Sequence, residues 1–268
     1  MIIVVVIGFV YHPDELDVSK LGVTNWDSTP NYNTNYFSNG NINSEGWKIK
    51  DNKTGWWKEY DENGALIEIG EYNDGIKTGY WKYYFSDGTI KEEGHYDSNL
   101  VVESKTGYWK TYYSNGTLKS LGNYNKGQKV GVWYRYYENS QLELEGNFEN
   151  NLKSGWWKRY YETGQINWIG QFAEGKRDDF WKFFEKDGNL SNEGYYYHGD
   201  KTGTWQWFDK KGSVKELGQY AQGEKSGFWK YYNQGKLVES GEYLLGDKVG
   251  VWTKLDSDGE IVEEKDYE

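Results

Sequence analysis

The sequence predicts an all-β protein, an elongated array of about nine stacked antiparallel β-hairpin repeats in a single-layer twisted sheet. Three observations support this prediction: a fixed repeat period, a turn signal inside each repeat, and a composition that suits a thin sheet. Successive repeats are mostly 24 residues apart, with one gap of 28 and one of 23. A constant period of this size indicates one supersecondary unit that is copied and stacked. The period is set by nine tryptophans, which we call the anchor tryptophans: Trp57, Trp81, Trp109, Trp133, Trp157, Trp181, Trp205, Trp229 and Trp252.

Each repeat has a tight-turn signal seven residues after its anchor, or six in the copy of Trp229. The turn position is glycine in all copies except one, where it is Ser140, and Asn or Asp often precedes it, as in Asn63-Gly64. Such pairs tolerate positive φ and favour hairpins. A second short turn, as in Gly75 to Gly79, joins one hairpin to the next. Connections this short favour antiparallel pairing, and a single-wound β-helix is the alternative that stays open.

An aliphatic residue, a glycine and a ring follow the first turn at even spacing, as in Leu66, Gly70 and Tyr72. Alternate side chains of a strand point to the same face. We therefore expect all three on one face, with the glycine leaving a gap that the anchor of a neighbouring repeat fills.

Composition agrees with a thin sheet and bears on the partners. Hydrophobic residues make up 36% of the 268 residues and the mean hydropathy is −0.97, yet 19% are aromatic. Large rings cover much surface per residue, so a sheet can be covered without a deep core. The net charge of −11 disfavours nucleic acid as a partner, since that needs a basic face. Association with a membrane and self-association both stay open, as does the compartment.

The first 35 residues differ from the rest. Residues 1–10 read MIIVVVIGFV, too short for a membrane-spanning helix. This run resembles the core of a secretory signal, and a signal remnant and an additional buried strand are both open interpretations. We divide the chain into a lead-in, residues 1–35, and a repeat domain, residues 36–268, with a degenerate half-copy starting near Asn39-Gly40.

The recurring pattern G-x-W-x-x-Y, then N-G-x-L, then G-x-Y and G-x-K-x-G resembles the MORN-repeat-variant family, over about residues 36–268. Many bacterial members are labelled as antitoxins of toxin–antitoxin pairs. The resemblance implies an elongated hairpin array that acts in protein–protein or membrane-linked assembly, with no catalytic residues to transfer. Three features depart from the pattern: Asp179 stands where a glycine is expected, Ser140 replaces a turn glycine, and four extra residues lie between Tyr96 and Lys105.

We expect no enzyme, no cofactor and no metal site. The chain has three histidines and no cysteine, so it lacks the residues for a Cys/His nucleophile pair or a soft-metal site. The function expected is a non-enzymatic scaffold that binds a protein partner, with antitoxin-like sequestration as its specific form. The alternative is a cell-envelope or secreted protein that binds glycans or lipid headgroups through its rings.

Positions that vary between repeats are the candidates for partner recognition. Residues two and four after each anchor share strand parity with it and are rich in Tyr, Phe, Trp and Arg in the middle repeats. This is the composition of interface hot spots. The predicted partner-binding residues are Tyr83, Phe85, Tyr113, Arg135, Tyr137, Arg159, Tyr161, Trp168, Phe183 and Trp207.

A cation also recurs four residues before every anchor. The nine cations are Lys53, Lys77, Lys105, Lys129, Lys153, Arg177, Lys201, Lys225 and Lys248. The favoured interpretation is a solvated turn residue that blocks edge pairing, and the alternative is an anion-binding stripe.

Overall fold

The computed structural model describes residues 29–99 and 102–268. This part of the chain forms twenty β-strands, and none of it is a helix of the length and apolarity that crossing a membrane requires. The strands are β1 (Asn31–Tyr36), β2 (Ile42–Ile49), β3 (Asn52–Tyr60), β4 (Leu66–Asn73), β5 (Ile76–Tyr84), β6 (Ile90–Tyr96), β7 (Lys105–Tyr112), β8 (Leu118–Asn125), β9 (Gln128–Tyr136), β10 (Leu142–Glu149), β11 (Leu152–Tyr160), β12 (Ile166–Ala173), β13 (Lys176–Phe184), β14 (Leu190–Tyr197), β15 (Asp200–Phe208), β16 (Val214–Ala221), β17 (Glu224–Asn233), β18 (Lys236–Leu244), β19 (Asp247–Leu255) and β20 (Ile261–Tyr267).

Each strand pairs in antiparallel order with the strand before it and the strand after it, from β1–β2 to β19–β20. The result is one open sheet whose edges are β1 and β20. The predicted hairpin array is confirmed, and the β-helix alternative is wrong because consecutive strands are direct antiparallel neighbours. The half-copy at Asn39-Gly40 is the turn of the β1–β2 hairpin, in which Gly40 has φ of 87°.

Left-handed backbone recurs at fixed positions of the repeat, in the tight turn and inside the strand that carries the anchor, even where the sequence departs from glycine. Ser140 has φ of 66° at a position where the other repeats place glycine. Asp179 has φ of 60° where Gly155 and Gly203, its equivalents in neighbouring repeats, have 65° and 59°. Left-handed backbone costs a residue with a Cβ about 1–2 kcal/mol. Both departures therefore keep the geometry of the repeat at some cost in stability.

The core is a single row of the nine anchor tryptophans, which are all buried. We call the side of the sheet that carries them the anchor face, and the other side the opposite face. Trp157 lies directly over Gly146, where an added Cβ would be 2.5 Å from its Cγ atom. The Trp157 Nε1 donates to the carbonyl oxygen of Asn147 at 3.0 Å. Phe148 packs edge-to-face between Trp133 and Trp157, with ring centroids 6.0 and 5.0 Å apart. The predicted filling of the glycine gap by a neighbouring anchor is confirmed.

A β-bulge after each tight turn changes the predicted side-chain parity. In the first full repeat Leu66 pairs with Tyr60 and Glu68 pairs with Glu59, so one extra residue lies between the two pairs. Glu59 is two residues after its anchor and shares the anchor face, so its neighbour Tyr60 lies on the opposite face. Leu66, which pairs with Tyr60, lies there too. The prediction that the aliphatic residue shares the face of the glycine and the ring was wrong, because a bulge adds one residue between them.

The insertion predicted between Tyr96 and Lys105 is the connection between β6 and β7. It is closed by a hydrogen bond from the Asp97 backbone N–H to the Ser104 carbonyl oxygen at 2.8 Å. The apolar run at residues 1–10 lies outside the described residues, so both interpretations of it stay predictions.

Candidate partner-binding face

A cation lies over the ring of every anchor tryptophan. The Nζ atom of the lysines is between 3.7 Å (Lys248) and 4.6 Å (Lys53) from the centroid of its anchor, and the Cζ atom of Arg177 is 4.8 Å from the Trp181 centroid. The interpretation of these cations as solvated turn residues was wrong. Their stems cover aromatic surface, and the charged groups gain cation–π attraction of about 0.5–2 kcal/mol each.

In three of the outer repeats the cation also has a carboxylate partner on the anchor face. The partner lies two residues before the strand glycine, on the preceding strand. Lys77 pairs with Glu68 at 2.9 Å, and Lys248 pairs with Glu239 at 2.7 Å. Lys105 pairs with Glu92 in the same way. These repeats therefore neutralise their own cation.

In four consecutive middle repeats this carboxylate is absent. The corresponding residues are Ser120, Leu144, Trp168 and Asn192. Lys129 and Lys153 accordingly contact rings and form no ion pair with any carboxylate in residues 29–99 and 102–268. Burial lowers the pKa of both lysines, and repulsion from neighbouring cations adds to the effect. Positive charge is therefore concentrated in the middle of the anchor face.

Two arginines increase this charge. Arg135 and Arg159 both pair across the sheet with Leu144, one from each neighbouring strand. Their Nη2 atoms donate to the same oxygen of Glu143, at 2.6 and 3.3 Å. Glu143 occupies the bulge of β10, and its side chain is only 10% exposed, whereas those of Arg135 and Arg159 are 46% and 43% exposed. Both guanidinium groups therefore keep donors available to solvent.

These residues line a depression of about 320 Å³ on the anchor face. Its lining residues are Ser120, Lys129, Trp133, Tyr134, Arg135, Leu144, Phe148, Lys153, Trp157, Arg159 and Trp168. Four cations, Lys129, Arg135, Lys153 and Arg159, thus line the depression together with apolar side chains. We call this depression the central groove.

The structure places three of the ten predicted residues in one aromatic cluster. Trp168 lies 5.1 Å from Trp181, and Phe183 lies between Trp181 and Trp205 at 5.8 and 6.2 Å. Trp207 packs against Trp205 at 5.7 Å. These rings are half-buried and cover the anchors beside the central groove.

The other predicted rings have structural contacts of their own. The hydroxyls of Tyr113, Tyr137 and Tyr161 each donate to a backbone carbonyl of the next repeat, at 2.7 to 2.8 Å. Phe85 occupies the same position and lies under the Lys91 ammonium group at 5.9 Å.

Tyr83 is separated from the remaining predicted residues. Its hydroxyl is 2.9 Å from that of Tyr96. In the next repeat the equivalent position is Thr111, whose hydroxyl is 2.6 Å from that of Ser120. The predicted face is therefore interrupted by a polar pair, and its continuous part runs from Arg135 to Trp207.

Sequence reasoning missed a row of side chains on the opposite face. Residues that precede an anchor by one position include Trp56, Tyr108 and Trp156, and the last two are 65% and 55% exposed. The signal was present, because these positions are apolar in most repeats. In the described residues there is no group of three or more His, Cys, Asp or Glu side chains that could hold a metal ion.

Comparison with known proteins identifies the repeat. The sequence pattern of the family described as MORN repeat variant matches residues 53–74, 77–98, 105–126, 129–150 and 201–222. Each match begins at the cation that covers an anchor and ends two residues after the strand ring. No curated protein matches the chain.

Similar solved structures include the Tc holotoxin pore of Photorhabdus luminescens, at 11% identity and a TM-score of 0.20, and the TcdB2-TccC3-TEV crystal structure, at 12% and 0.18. Each comparison covers 87% of this chain and 15% of the other chain. At these TM-scores the likeness carries no argument about shape or function. The remaining repeats have the same strand–turn–strand unit and glycine-under-tryptophan packing as these five segments, and the five segments are MORN repeat variants.

Proposed function

We propose that the chain is a non-enzymatic scaffold that binds a partner protein on its anchor face, between Arg135 and Trp207. The observation that carries the proposal is the central groove, where the lysine–glutamate pairing of the outer repeats stops and four cations lie beside half-buried rings. Arg, Trp and Tyr at the centre of a surface are the residues that dominate binding energy in protein interfaces.

The size of this region suits a protein partner. Two strands advance the sheet by about 9.6 Å, so the three to four repeats between Arg135 and Trp207 span roughly 30–40 Å. A standard interface buries about 800 Å² on each partner. A strip of this length that is as wide as a nine-residue strand is long, about 30 Å, provides that area, whereas the groove alone does not.

We extend the proposal to antitoxin-like sequestration, in which the scaffold holds a toxic partner and blocks its action. The family resemblance supports this extension, and no residue of the chain specifies a toxin. Coexpression with the protein encoded beside this chain tests it. We expect growth arrest by the neighbour alone, rescue by the wild-type scaffold, and no rescue by a scaffold with Arg135→Gln and Arg159→Gln.

Affinity capture from the source cells tests the scaffold itself. The variant with Arg135→Gln and Arg159→Gln removes two exposed charges from the anchor face. The matched control, Lys158→Gln with Lys182→Gln, removes two similarly exposed charges that pair with Glu145 and Glu193 on the opposite face. We expect one protein to be enriched by the wild type and the control and lost with the arginine variant. An enrichment profile that is the same for all three, with thermal unfolding unchanged, contradicts the proposal.

A second candidate function, binding of glycans or lipid headgroups, is favoured by the exposed rings of Tyr108 and Trp156 on the opposite face. Exposed aromatic faces are the surfaces on which sugars stack. Glycan-array signal that disappears with Trp156→Ala would support this candidate, and a signal that depends on the two arginines would not.

A further inference from the structure

We propose that the central groove is a carboxylate-recognition site that takes an acidic segment of a partner protein, with an apolar residue next to the acidic one. This inference rests on the proposed scaffold function and names the chemistry of its partner. It follows from comparing the same positions in successive repeats.

The outer repeats show which group pairs with the cation above an anchor tryptophan. In three of them a glutamate lies two residues before the strand glycine and contacts the cation above the next anchor. The repeat geometry is unchanged at Lys129 and Lys153, which lie 4.3 and 4.5 Å above Trp133 and Trp157. Their carboxylate position is occupied by Ser120 and Leu144. Lys129 and Lys153 therefore lie where the lysines of other repeats form ion pairs, but the glutamate of the pair is missing.

Two arginines that line the groove already bind one carboxylate, that of Glu143. One oxygen of Glu143 accepts hydrogen bonds from both Arg135 and Arg159. Guanidinium groups have several donors in a planar fork, so each arginine can bind a second carboxylate oxygen. Glu143 is one negative charge among four positive ones, and the groove retains an excess of positive charge. An incoming carboxylate would complete the charge balance that the outer repeats achieve internally.

The floor and the net charge indicate a protein segment as the source of that carboxylate. Leu144, Phe148 and Trp168 line the groove beside the cations and offer apolar contact to a neighbouring side chain. A bilayer presents its charge over a wide plane. The chain as a whole carries a net charge of −11 and would be repelled by an anionic membrane surface. A short acidic segment would contact only the positively charged groove and would avoid this repulsion.

The chain offers a variant that fills the site from within. Leu144→Glu places a carboxylate between Arg135 and Arg159 and beside Lys153, as Glu68 lies beside Lys77. The matched control is Asn147→Glu on the same strand, which adds the same charge on the opposite face. Glu71 and Glu242 occupy the equivalent position in other repeats, so the array accepts glutamate there. Ser120→Glu is a second filling variant, beside Lys129.

Binding of a fluorescent peptide that alternates glutamate with phenylalanine, measured by anisotropy with the full chain, tests the inference. We expect the peptide to bind the wild type and Asn147→Glu equally. Leu144→Glu and Ser120→Glu should each weaken binding about tenfold or more, as expected for loss of a desolvated charge pair. A control peptide with glutamine in place of glutamate should bind far more weakly.

Several results would overturn the assignment. These are equal binding of the glutamine peptide, equal weakening by Asn147→Glu, full displacement of the peptide by an equal concentration of inorganic phosphate, or binding of phosphatidylserine vesicles in preference to the peptide. Capture of a cellular protein separates this failure from failure of the proposed function. If capture depends on Arg135 and Arg159 while the peptide does not bind, the scaffold stands and the acidic-segment inference falls. If neither the peptide nor any protein is held through the arginines, both are wrong.

Discussion

Replacing Gly146 with alanine should disrupt the array at one defined interface between repeats. The added Cβ would lie 2.5 Å from Cγ of Trp157 and would also overlap the Cδ2 and Cε2 atoms of the same indole. Ordinary contact between these carbons requires about 3.5–4.0 Å, so the indole must move by roughly 1 Å or more. Trp157 cannot move freely, because Phe148 packs edge-on against it at 5.0 Å and Phe172 at 6.0 Å.

The cost can be estimated from the contacts that move. Overpacking a well-packed core typically costs about 1–3 kcal/mol. Displacing the indole also weakens the hydrogen bond from Trp157 Nε1 to the Asn147 carbonyl, for about another 1 kcal/mol. We therefore expect Gly146→Ala to lower the free energy of unfolding by about 2–4 kcal/mol. In a repeat protein with mainly nearest-neighbour coupling, the loss should be concentrated where β10 meets β11.

Urea unfolding monitored by tryptophan fluorescence measures the cost, and hydrogen exchange of the amides locates it. The control is Gly116→Ala, at a turn glycine with φ of 81° and no neighbouring atom within 4 Å. Its cost should be about 1–2 kcal/mol, from the left-handed backbone alone. If Gly146→Ala is no more destabilising than Gly116→Ala, the packing argument is refuted.

Three further predictions follow from particular contacts. Ser140→Gly should raise the free energy of unfolding by about 0.5–1 kcal/mol, because φ of 66° favours a residue without a Cβ; no rise in the midpoint of thermal unfolding would contradict this. Tyr137→Phe should cost about 1 kcal/mol by removing the hydrogen bond to the Tyr160 carbonyl, whereas Tyr134→Phe, whose hydroxyl has no hydrogen bond in the described part of the chain, should cost almost nothing. Burial and the hydrogen bond to Glu145 raise the pKa of Tyr160 from 10.0 to about 12. Because the unfolded phenol ionises first, this contribution to stability is complete below pH 10 and lost as the pH rises to about 12. Tyr160→Phe should therefore reduce the pH dependence of unfolding in that range, and an unchanged dependence would show that the phenol does not titrate as described.

Much of the fold could be predicted because its determinants recur in sequence. The spacing of Trp133, Trp157 and their equivalents gave the period, and the glycine two residues before the strand ring, present in eight of the nine repeats, indicated where an indole would lie. The side on which Leu66 lies could not be predicted from spacing. The bulge that moves it is present in all nine repeats, so no difference in length between copies reveals the extra residue.

The candidate site was predicted in part. The residues two after each anchor were placed correctly on the anchor face, since Tyr83 and Phe183 stack on their anchors. The central groove was missed because it depends on the absence of a glutamate that other repeats have. At one position of the repeat, Glu68 and Glu92 are followed by Ser120 and Leu144 in the next two repeats. That difference has meaning only once the position is known to face a cation. The hydrogen bonds of the Tyr137 and Tyr161 hydroxyls could not be predicted either. Their acceptors are backbone carbonyls, which every residue has, so the sequence does not identify them.

The placement of each strand glycine beneath the next anchor has a consequence for synthesis of the chain on the ribosome. Gly146 is covered by Trp157 and Gly170 by Trp181, so a repeat is finished only by the one that emerges after it. The sheet can therefore grow in the direction of translation. Each new repeat covers the strand glycine of the repeat before it, and only the most recently synthesised repeat has its strand glycine uncovered. In β20, Lys265 pairs with Trp252 at the position where the earlier strands have glycine.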